Sequence, residues 1–284
     1  MVILTLIVFG LCLGSFVNAL VWRLYKQMEL EEAGPVKKVA HKQKLSHEEL
    51  SIAKGRSMCS HCHHPLAAKD LVPVLSYLSL GGTCRYCRKP IADTPSAELL
   101  TPLLFVVSYV AWPYGLTDKG LVLFIFWLVF LVGFVALTIY DFKWYLLPDK
   151  IVFPLIGLAV LQVLVVAVLY GGGLPTVIHA VLGVAVGSGL FYVLFQVSDG
   201  RWIGGGDVKL GIVLGLLAGS ASKAFLVIFI ASLLGTLIAV PLLAVGKASR
   251  TSHLPFGPFL LAGLFVTVLF GDRLVGWYLR LFLG

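Results

Sequence analysis

Residues 120–141 read GLVLFIFWLVFLVGFVALTIYD, a long apolar run that ends on a carboxylate, Asp141. About 20 mainly apolar residues are enough for a helix to span the hydrocarbon core of a bilayer. The rest of the chain has the same character, because 59% of its 284 residues are hydrophobic and only 13% are charged. This composition predicts an all-α polytopic membrane protein and excludes a soluble globular domain.

Working outward from this run, we predict eight transmembrane spans. Three of them are weaker than the others, being short, glycine-rich or interrupted by charge. Such spans are tolerated where protein rather than lipid surrounds them. The predicted spans are 2–22, 97–112, 120–140, 151–169, 175–197, 207–219, 224–245 and 257–281.

The distribution of basic residues predicts the orientation. Arg23 and Lys26 follow the first apolar run rather than precede it, which indicates a retained first helix with its N-terminus outside. The predicted outer loops then hold only Lys119 and Lys223, and the inner loops hold most of the other basic residues. Asp141 and Asp207 both fall at the cytoplasmic face in this topology.

We therefore predict a multi-pass membrane protein in three parts. Residues 1–22 are the first transmembrane helix, 23–96 a cytoplasmic loop, and 97–284 a membrane-embedded core. Residues 22–95 hold 12 of the 22 Lys and Arg residues together with seven acidic residues. The positive-inside rule explains this excess, so we predict no nucleic-acid partner.

The cytoplasmic loop carries two Cys-x-x-Cys pairs. Cys59 and Cys62 form the first pair, and Cys84 and Cys87 form the second. Four thiolates from two tight turns can surround a zinc ion, which predicts a small structural zinc knuckle. Two disulfides or four free thiols are the alternatives, and a cytoplasmic location disfavours the disulfides. We expect residues 25–57 to form a loop, and no internal repeat is evident in the chain.

Asp207 follows three glycines, Gly204 to Gly206, and opens an apolar segment. Gly211, Gly215 and Gly219 recur at intervals of four residues after it, which predicts a small-residue face that packs against another helix. Asp207 shares that face and is expected to point into the helix bundle. The alternative is that Asp207 serves only as a helix N-cap.

Asp141 is expected at the C-terminus of its helix, where the helix dipole disfavours a negative charge. Asp149 follows Pro148 and precedes the next span, so we predict that it caps that helix. Lys209 projects to a different face from Asp207, where it either reaches the membrane surface or alters the field around the aspartates. Two carboxyls that share a proton can activate water and protonate a leaving amide, which makes Asp141 and Asp207 candidates for peptide hydrolysis.

These residues lie in a series of motifs that extends over nearly the whole chain, and with them the chain resembles the prepilin peptidases (type IV leader peptidases). These are membrane aspartic proteases of the GxGD type. The matching motifs are Gly14-Ser15-Phe16-Val17-Asn18, Arg56-Ser57-x-Cys59-x-x-Cys62, Pro73-Val74-Leu75-Ser76-Tyr77-Leu78, Cys84-x-x-Cys87, Pro95-x-x-Glu98, Leu147-Pro148-Asp149, Gly204-Gly205-Gly206-Asp207-Val208-Lys209 and Pro255-Phe256-Gly257-Pro258.

The resemblance implies cleavage of the leader peptide of type IV prepilins or pseudopilins at the cytoplasmic membrane face, with Asp141 and Asp207 as the catalytic pair. It also implies N-methylation of the new N-terminus with S-adenosylmethionine. Glu98 is then the candidate for cofactor binding in methyl transfer. Implied partners are the prepilin substrates, the lipid bilayer and the pilus or type II secretion assembly machinery.

Two other functions fit the same residues. Intramembrane carboxylates also bind cations or relay protons, so the first alternative is an ion- or proton-coupled transporter. Repeated halves with matching broken helices would favour it, and none is evident. The second alternative is a non-catalytic zinc-knuckle scaffold for pilus assembly.

Overall fold

The computed structural model describes residues 1–33, 49–52, 54–91, 94–246 and 254–283. Over these ranges the chain is helical, with two isolated β-bridges and no strands. The helices are α1 (Val2–Ala33), α2 (Leu75–Ser79), α3 (Ser96–Ala111), α4 (Asp118–Trp144), α5 (Asp149–Leu169), α6 (Gly173–Val197), α7 (Gly205–Ala218), α8 (Ala221–Ala244) and α9 (Gly257–Leu283).

Each predicted span corresponds to one of these helices, so the predicted all-α polytopic fold is confirmed. Six of the described helices are long and apolar enough to cross a membrane, whereas α3 and α7 are shorter. Helix α1 runs to Ala33, so the prediction that residues 25–57 form a loop is wrong for its first part. Residues 34–48 and 247–253, which belong to two predicted inner loops, lie outside the described residues.

The chain forms two compact units. The first contains Met1–Tyr109 and Leu131–Ile139, and the second contains Val110–Phe130 and Tyr140–Gly284. The four candidate metal ligands and Glu98 lie in the first unit, and both candidate catalytic aspartates lie in the second.

In the first unit, α1 and α3 cross at two glycines. A Cβ on Gly10 would lie 2.5 Å from Pro102 Cα, and one on Gly14 would lie 2.5 Å from Ala97 O. Any side chain at either position would therefore push the two backbones apart. This close crossing brings the polar residues after Gly14 next to the first turn of α3, where Glu98 lies.

In the second unit, the short helix α7 packs against α5, α6, α8 and α9. Its neighbours bury Leu210, Gly211, Val213, Leu214, Gly215 and Ala218. A helix enclosed in this way does not need to match the thickness of the bilayer. This explains why the 14-residue segment that carries Asp207 is stable although it is too short to span the membrane.

Candidate active site and metal centre

Asp141 lies in the last turn of α4 and is only 6% exposed. Its Oδ2 atom accepts a buried hydrogen bond of 3.1 Å from the backbone N–H of Gly257, the first residue of α9. The N-terminus of a helix carries unpaired N–H groups and a partial positive charge, both of which favour an anion. The start of α9 therefore offsets the unfavourable position of Asp141 at the C-terminal end of α4.

Sequence reasoning gave Gly257 no place in the candidate site, although its backbone contacts the Asp141 carboxyl. A Cβ at this position would lie 2.6 Å from Asp141 Oδ2 and 3.4 Å from Leu147 Cδ2. Only glycine lets the backbone approach the carboxylate this closely. The available signal was the Gly257-Pro258 pair before an apolar run, because proline is favoured in the first turn of a helix.

Asp207 is the third residue of α7, and its N–H donates to Gly204 O at 3.1 Å. Gly204 occupies the N-cap position, so the alternative that Asp207 is only an N-cap is wrong. Gly204 also has open space above it, since an added Cβ would meet only Asp207 Oδ2 at 3.7 Å and Gly206 N at 3.9 Å. Within the glycine run, Gly204 therefore has open space beside Asp207, whereas Gly206 packs against Leu147.

Two of the three glycines predicted to form a packing face do so. A Cβ on Gly211 would lie 2.6 Å from Gly187 O, and a Cβ on Gly215 would lie 2.5 Å from Gly183 O. The third prediction was wrong, because Gly219 ends α7 in the left-handed conformation with open space around it. The glycine pairs fix α7, and with it Asp207, against α6.

The Ser188 hydroxyl adds a polar contact to this helix pair. It donates to Val208 O at 2.8 Å, one residue beyond Asp207. The bond joins α6 to the first turns of α7, close to the end that carries the carboxyl.

Leu147 lies beside the starts of two helices, α7, which carries Asp207, and α9, whose first residue binds Asp141. An added Cβ on Gly206 would lie 3.0 Å from Leu147 Cβ, and one on Gly257 would lie 3.4 Å from Leu147 Cδ2. Leu147 thus lies against Gly206, next to Asp207, and against Gly257, which binds Asp141. The second unit thus brings together two aspartates that are 66 positions apart, with an apolar side chain beside them.

Asp149 has a different role from the predicted helix cap. It is the first residue of α5, and Pro148 occupies the N-cap position. Its carboxylate accepts two hydrogen bonds from the Lys209 ammonium, at 2.7 and 2.9 Å. Lys209 thereby connects the first turns of α5 and α7.

In the first unit, Cys59, Cys62, Cys84 and Cys87 form the predicted cluster. Their four Sγ atoms lie within 4.8 Å of one another, and Cys59 Sγ is 3.9 Å from Cys87 Sγ. A tetrahedral zinc site with Zn–S bonds of about 2.3 Å has S–S edges of about 3.8 Å. All four cysteines are free of disulfides, and the cluster can hold a metal ion.

The thiols of the cluster differ in their electrostatics. Burial raises the pKa of the Cys59 thiol to about 12. At Cys84 burial acts in the same direction, but backbone N–H groups of Cys87 and Tyr86 outweigh it and lower the pKa of that thiol to about 7. A thiolate at this position is ready to ligate a metal. The N–H of His61 also donates to Cys59 Sγ at 3.4 Å.

The expectation of no internal repeat is wrong for this segment. Two knuckles, at 57–66 and 82–91, have the same backbone hydrogen bonds at an offset of 25 residues. The bond from Cys59 N to His64 O corresponds to that from Cys84 N to Lys89 O, and the bond from His63 N to Cys59 O corresponds to that from Arg88 N to Cys84 O. His63 and Arg88 both have positive φ. The shared pattern Cys-x-x-Cys-x-x-Pro was the signal for the repeat.

Side chains fasten the second knuckle to the first and to the segment between them. Asp70 accepts hydrogen bonds from Arg85 Nε at 2.7 Å and from the Tyr86 hydroxyl at 3.0 Å. The Arg85 guanidinium accordingly lowers the pKa of Asp70. The His64 ring stacks on Tyr86 with a centroid separation of 3.8 Å.

Glu98, the candidate for cofactor binding, lies in the first turn of α3. Its Oε2 atom accepts a 2.6 Å hydrogen bond from the N–H of Val74. Val74 has φ 61° and ψ −49°, a conformation that β-branched residues rarely adopt. Glu98 also borders a cavity of about 180 Å³ within the first unit.

Comparison with known proteins identifies the family. A model described as Bacterial Peptidase A24 N-terminal domain matches residues 8–112, and a model described as Type IV leader peptidase family matches residues 128–240. The chain is 32% identical to the prepilin leader peptidase/N-methyltransferase of Aeromonas hydrophila over 97% of its own length and 93% of that relative. The chain belongs to the type IV leader peptidase family.

Other relatives of this family have the same printed name. The protein of Pseudomonas putida is 35% identical over 94% of this chain and 90% of its own length. That of Bacillus subtilis is 31% identical over 83% of this chain and 90% of its own length. No solved structure matches the chain.

The two family matches separate the candidate sites. Asp141 and Asp207 lie in the leader peptidase region, whereas Glu98 and the four cysteines lie in the N-terminal region. Gly257 lies beyond both matched regions, although it contacts Asp141 directly.

Proposed function

We propose that this protein is a membrane aspartic endopeptidase that cleaves the leader peptide of type IV prepilins or pseudopilins, with Asp141 and Asp207 as its catalytic pair. The observation that carries the proposal is that Leu147 lies against both Gly206, next to Asp207, and Gly257, which binds Asp141, in the second unit. Membership of the leader peptidase family supports the same reaction.

The proposed mechanism needs one proton shared between the two carboxyls. The ionised carboxyl accepts a proton from a water molecule, whose oxygen attacks the scissile carbonyl carbon. The protonated carboxyl gives its proton to the leaving nitrogen, and the C–N bond then breaks to yield a carboxylic acid and an amine. The open space above Gly204 gives an extended substrate backbone room to approach Asp207.

The transporter alternative has no support from the family, whose relatives are named for peptidase and methyltransferase activities. The scaffold alternative would leave the two buried carboxyls without a role. Buried acids at membrane depth are costly, so their presence favours chemistry.

For the first unit, we propose structural zinc at Cys59, Cys62, Cys84 and Cys87. The sulfur separations suit zinc, and four cysteine ligands leave no open position for substrate. The metal would stabilise a segment too small to have its own core. Of the two alternatives, disulfides are disfavoured in a reducing compartment.

We further propose that the protein methylates the new N-terminus with S-adenosylmethionine and that Glu98 takes part in binding this cofactor. The names of the relatives support the activity. The position of Glu98 at a cavity in the N-terminal region supports its role.

The proposed setting is the inner membrane, with the N-terminus outside and the active site at the cytoplasmic face. The three predicted parts, 1–22, 23–96 and 97–284, remain our proposal for how membrane and cytoplasmic segments alternate. Prepilins or pseudopilins are the proposed substrates, and the pilus or type II secretion machinery is the proposed wider partner.

A single assay tests the peptidase proposal. Purified protein is incubated with a prepilin and S-adenosylmethionine, and mass spectrometry of the product reports leader removal and methylation together. We expect Asp141→Asn and Asp207→Asn to abolish cleavage and Asp149→Asn to retain it. Wild-type cleavage by either of the first two variants, inserted at normal levels, would overturn the assignment.

A further inference from the structure

The first unit contains a cavity of about 180 Å³ that the peptidase reaction does not use. It lies between α1, the start of α3 and the segment around the two knuckles. Its polar and charged lining includes Asn18, Arg23, Arg56, Asp70, Arg85 and Glu98. Two aromatic side chains, Trp22 and Tyr77, also border it.

Most of these charged groups are already occupied by partners in the protein. Arg23 is buried, and its guanidinium donates to the carbonyl oxygens of Ser51, Ile52 and Gly55 at 3.2, 3.3 and 2.8 Å. Asp70 and Arg85 bind each other. These groups build the wall of the cavity and have little capacity left for a ligand.

Glu98 and Arg56 still have groups that can bind a ligand. One carboxylate oxygen of Glu98 holds Val74 N–H, and the other accepts no hydrogen bond from the described residues. The Arg56 guanidinium is exposed and forms no ion pair with any described residue. The cavity thus offers one carboxylate oxygen and one guanidinium.

Val74, which binds Glu98 but does not itself line the cavity, has an unfavourable backbone conformation. Its left-handed φ of 61° is unfavourable for valine, and the hydrogen bond to Glu98 helps to hold it. Strained backbone that is fixed by a neighbouring side chain is concentrated at binding and catalytic sites.

This combination selects a class of ligand. A carboxylate and a guanidinium together suit an amino-acid group, which carries an ammonium and a carboxylate. Aromatic side chains such as Trp22 and Tyr77 can bind a sulfonium cation or an adenine ring. A typical small-molecule pocket measures about 300–1,000 Å³, so a cavity of 180 Å³ encloses only part of a nucleoside-sized ligand.

We infer that this cavity holds the methionyl-sulfonium end of S-adenosylmethionine, with Glu98 facing the ammonium and Arg56 facing the carboxylate. This inference rests on the proposed methyltransferase function and adds the location and the contacts of the donor. It separates the two activities, because methyl transfer would use the first unit and peptide cleavage the second.

The cofactor supplies a methyl group that forms a bond to the neutral acceptor amine as the C–S bond breaks and its electron pair stays on sulfur. The methylated ammonium then loses one proton to water. The residues of the cavity orient the donor, and Glu98 keeps negative charge near the ammonium of the donor. The sulfur leaves as a neutral thioether in S-adenosylhomocysteine.

The first test measures binding and does not depend on turnover. Isothermal titration of S-adenosylhomocysteine into the full-length protein in detergent gives the dissociation constant. Glu98→Gln keeps an acceptor for Val74 N–H but removes the charge, and Arg56→Gln removes the guanidinium. Losing a hydrogen bond to a charged group should weaken binding by about tenfold or more in each variant.

Matched controls lie outside the cavity in the same unit. Glu29→Gln and Arg88→Gln make the same changes of charge, and both should bind like the wild type. Thermal unfolding and gel-filtration elution show whether Glu98→Gln and Arg56→Gln are folded. A second readout is ultraviolet crosslinking of radiolabelled S-adenosylmethionine, which should label the peptide that contains Trp22 or Tyr77.

The outcomes separate this inference from the proposed function. Weaker binding by both cavity variants, with unchanged controls and a label in the first unit, supports the inference. The inference is overturned if the wild type binds and methylates but folded cavity variants keep the wild-type affinity. It is also overturned if the label lies only in residues 140–284. In either case the methyltransferase activity stands. A wild type that neither binds nor methylates overturns the methyltransferase proposal itself.

Discussion

Gly257→Ala tests whether the start of α9 positions Asp141 for catalysis. The added Cβ would lie 2.6 Å from Asp141 Oδ2, whereas ordinary contacts begin at 3.4 Å. The carboxyl oxygen must therefore move by about 0.8 Å, or the start of α9 must retreat by a similar distance. Either movement breaks the 3.1 Å hydrogen bond from Gly257 N–H.

Two estimates of the effect agree. A displacement of about 1 Å at a catalytic group can lower the rate by about 100-fold. A lost hydrogen bond to a charged group corresponds to about 1.5–3 kcal/mol, which is roughly 10- to 150-fold in rate if the bond acts in the transition state. We expect kcat for prepilin cleavage to fall by about 100-fold with KM changed by less than about threefold, because Gly257 touches the carboxyl and not the leader.

The assay follows leader removal by gel shift with purified protein in detergent, over a range of substrate concentrations. Gly276→Ala is the matched control, because it lies in the same helix and an added Cβ meets no atom within 4 Å. This variant should cleave at the wild-type rate. A folded Gly257→Ala protein whose kcat stays within threefold of the control would refute the positioning role of α9.

Three further predictions concern the supports of the two sites. Lys209→Met should lower the free energy of unfolding by about 1 kcal/mol or less, because its salt bridge with Asp149 is partly exposed; a loss of several kcal/mol in denaturant titration would contradict this. Gly215→Ala should destabilise the protein by about 1–3 kcal/mol, because its Cβ would meet backbone atoms of α6 at 2.5 Å. The control is Gly189→Ala, which has open space around it and should leave thermal unfolding unchanged. Cys84→Ser should abolish the binding of about one zinc per chain, measured by elemental analysis, and lower the melting temperature; full zinc content in this variant would argue against a four-cysteine site.

Features that depend on residues close together in the chain were predicted correctly, whereas a contact between distant residues was not. The helices were predictable because apolar runs in a membrane must satisfy their own backbone hydrogen bonds, and the cysteine cluster was predictable because each pair lies within one turn. The predicted cap at Asp149 was wrong, because local rules consider only the helix that begins there. The carboxylate instead binds Lys209, which is 60 positions away.

The sequence by itself determined the class of fold, the membrane setting, the metal-binding segment and the two candidate aspartates. All of these depend on composition or on residues close together in the chain. The tertiary structure decided which backbone group holds Asp141, which helices enclose α7 and which charged groups of the first unit remain available to a ligand. The hydrogen bond between Gly257 and Asp141 joins residues 116 positions apart. A helix offers several faces to its neighbours, and only the packed bundle selects the face that each one meets.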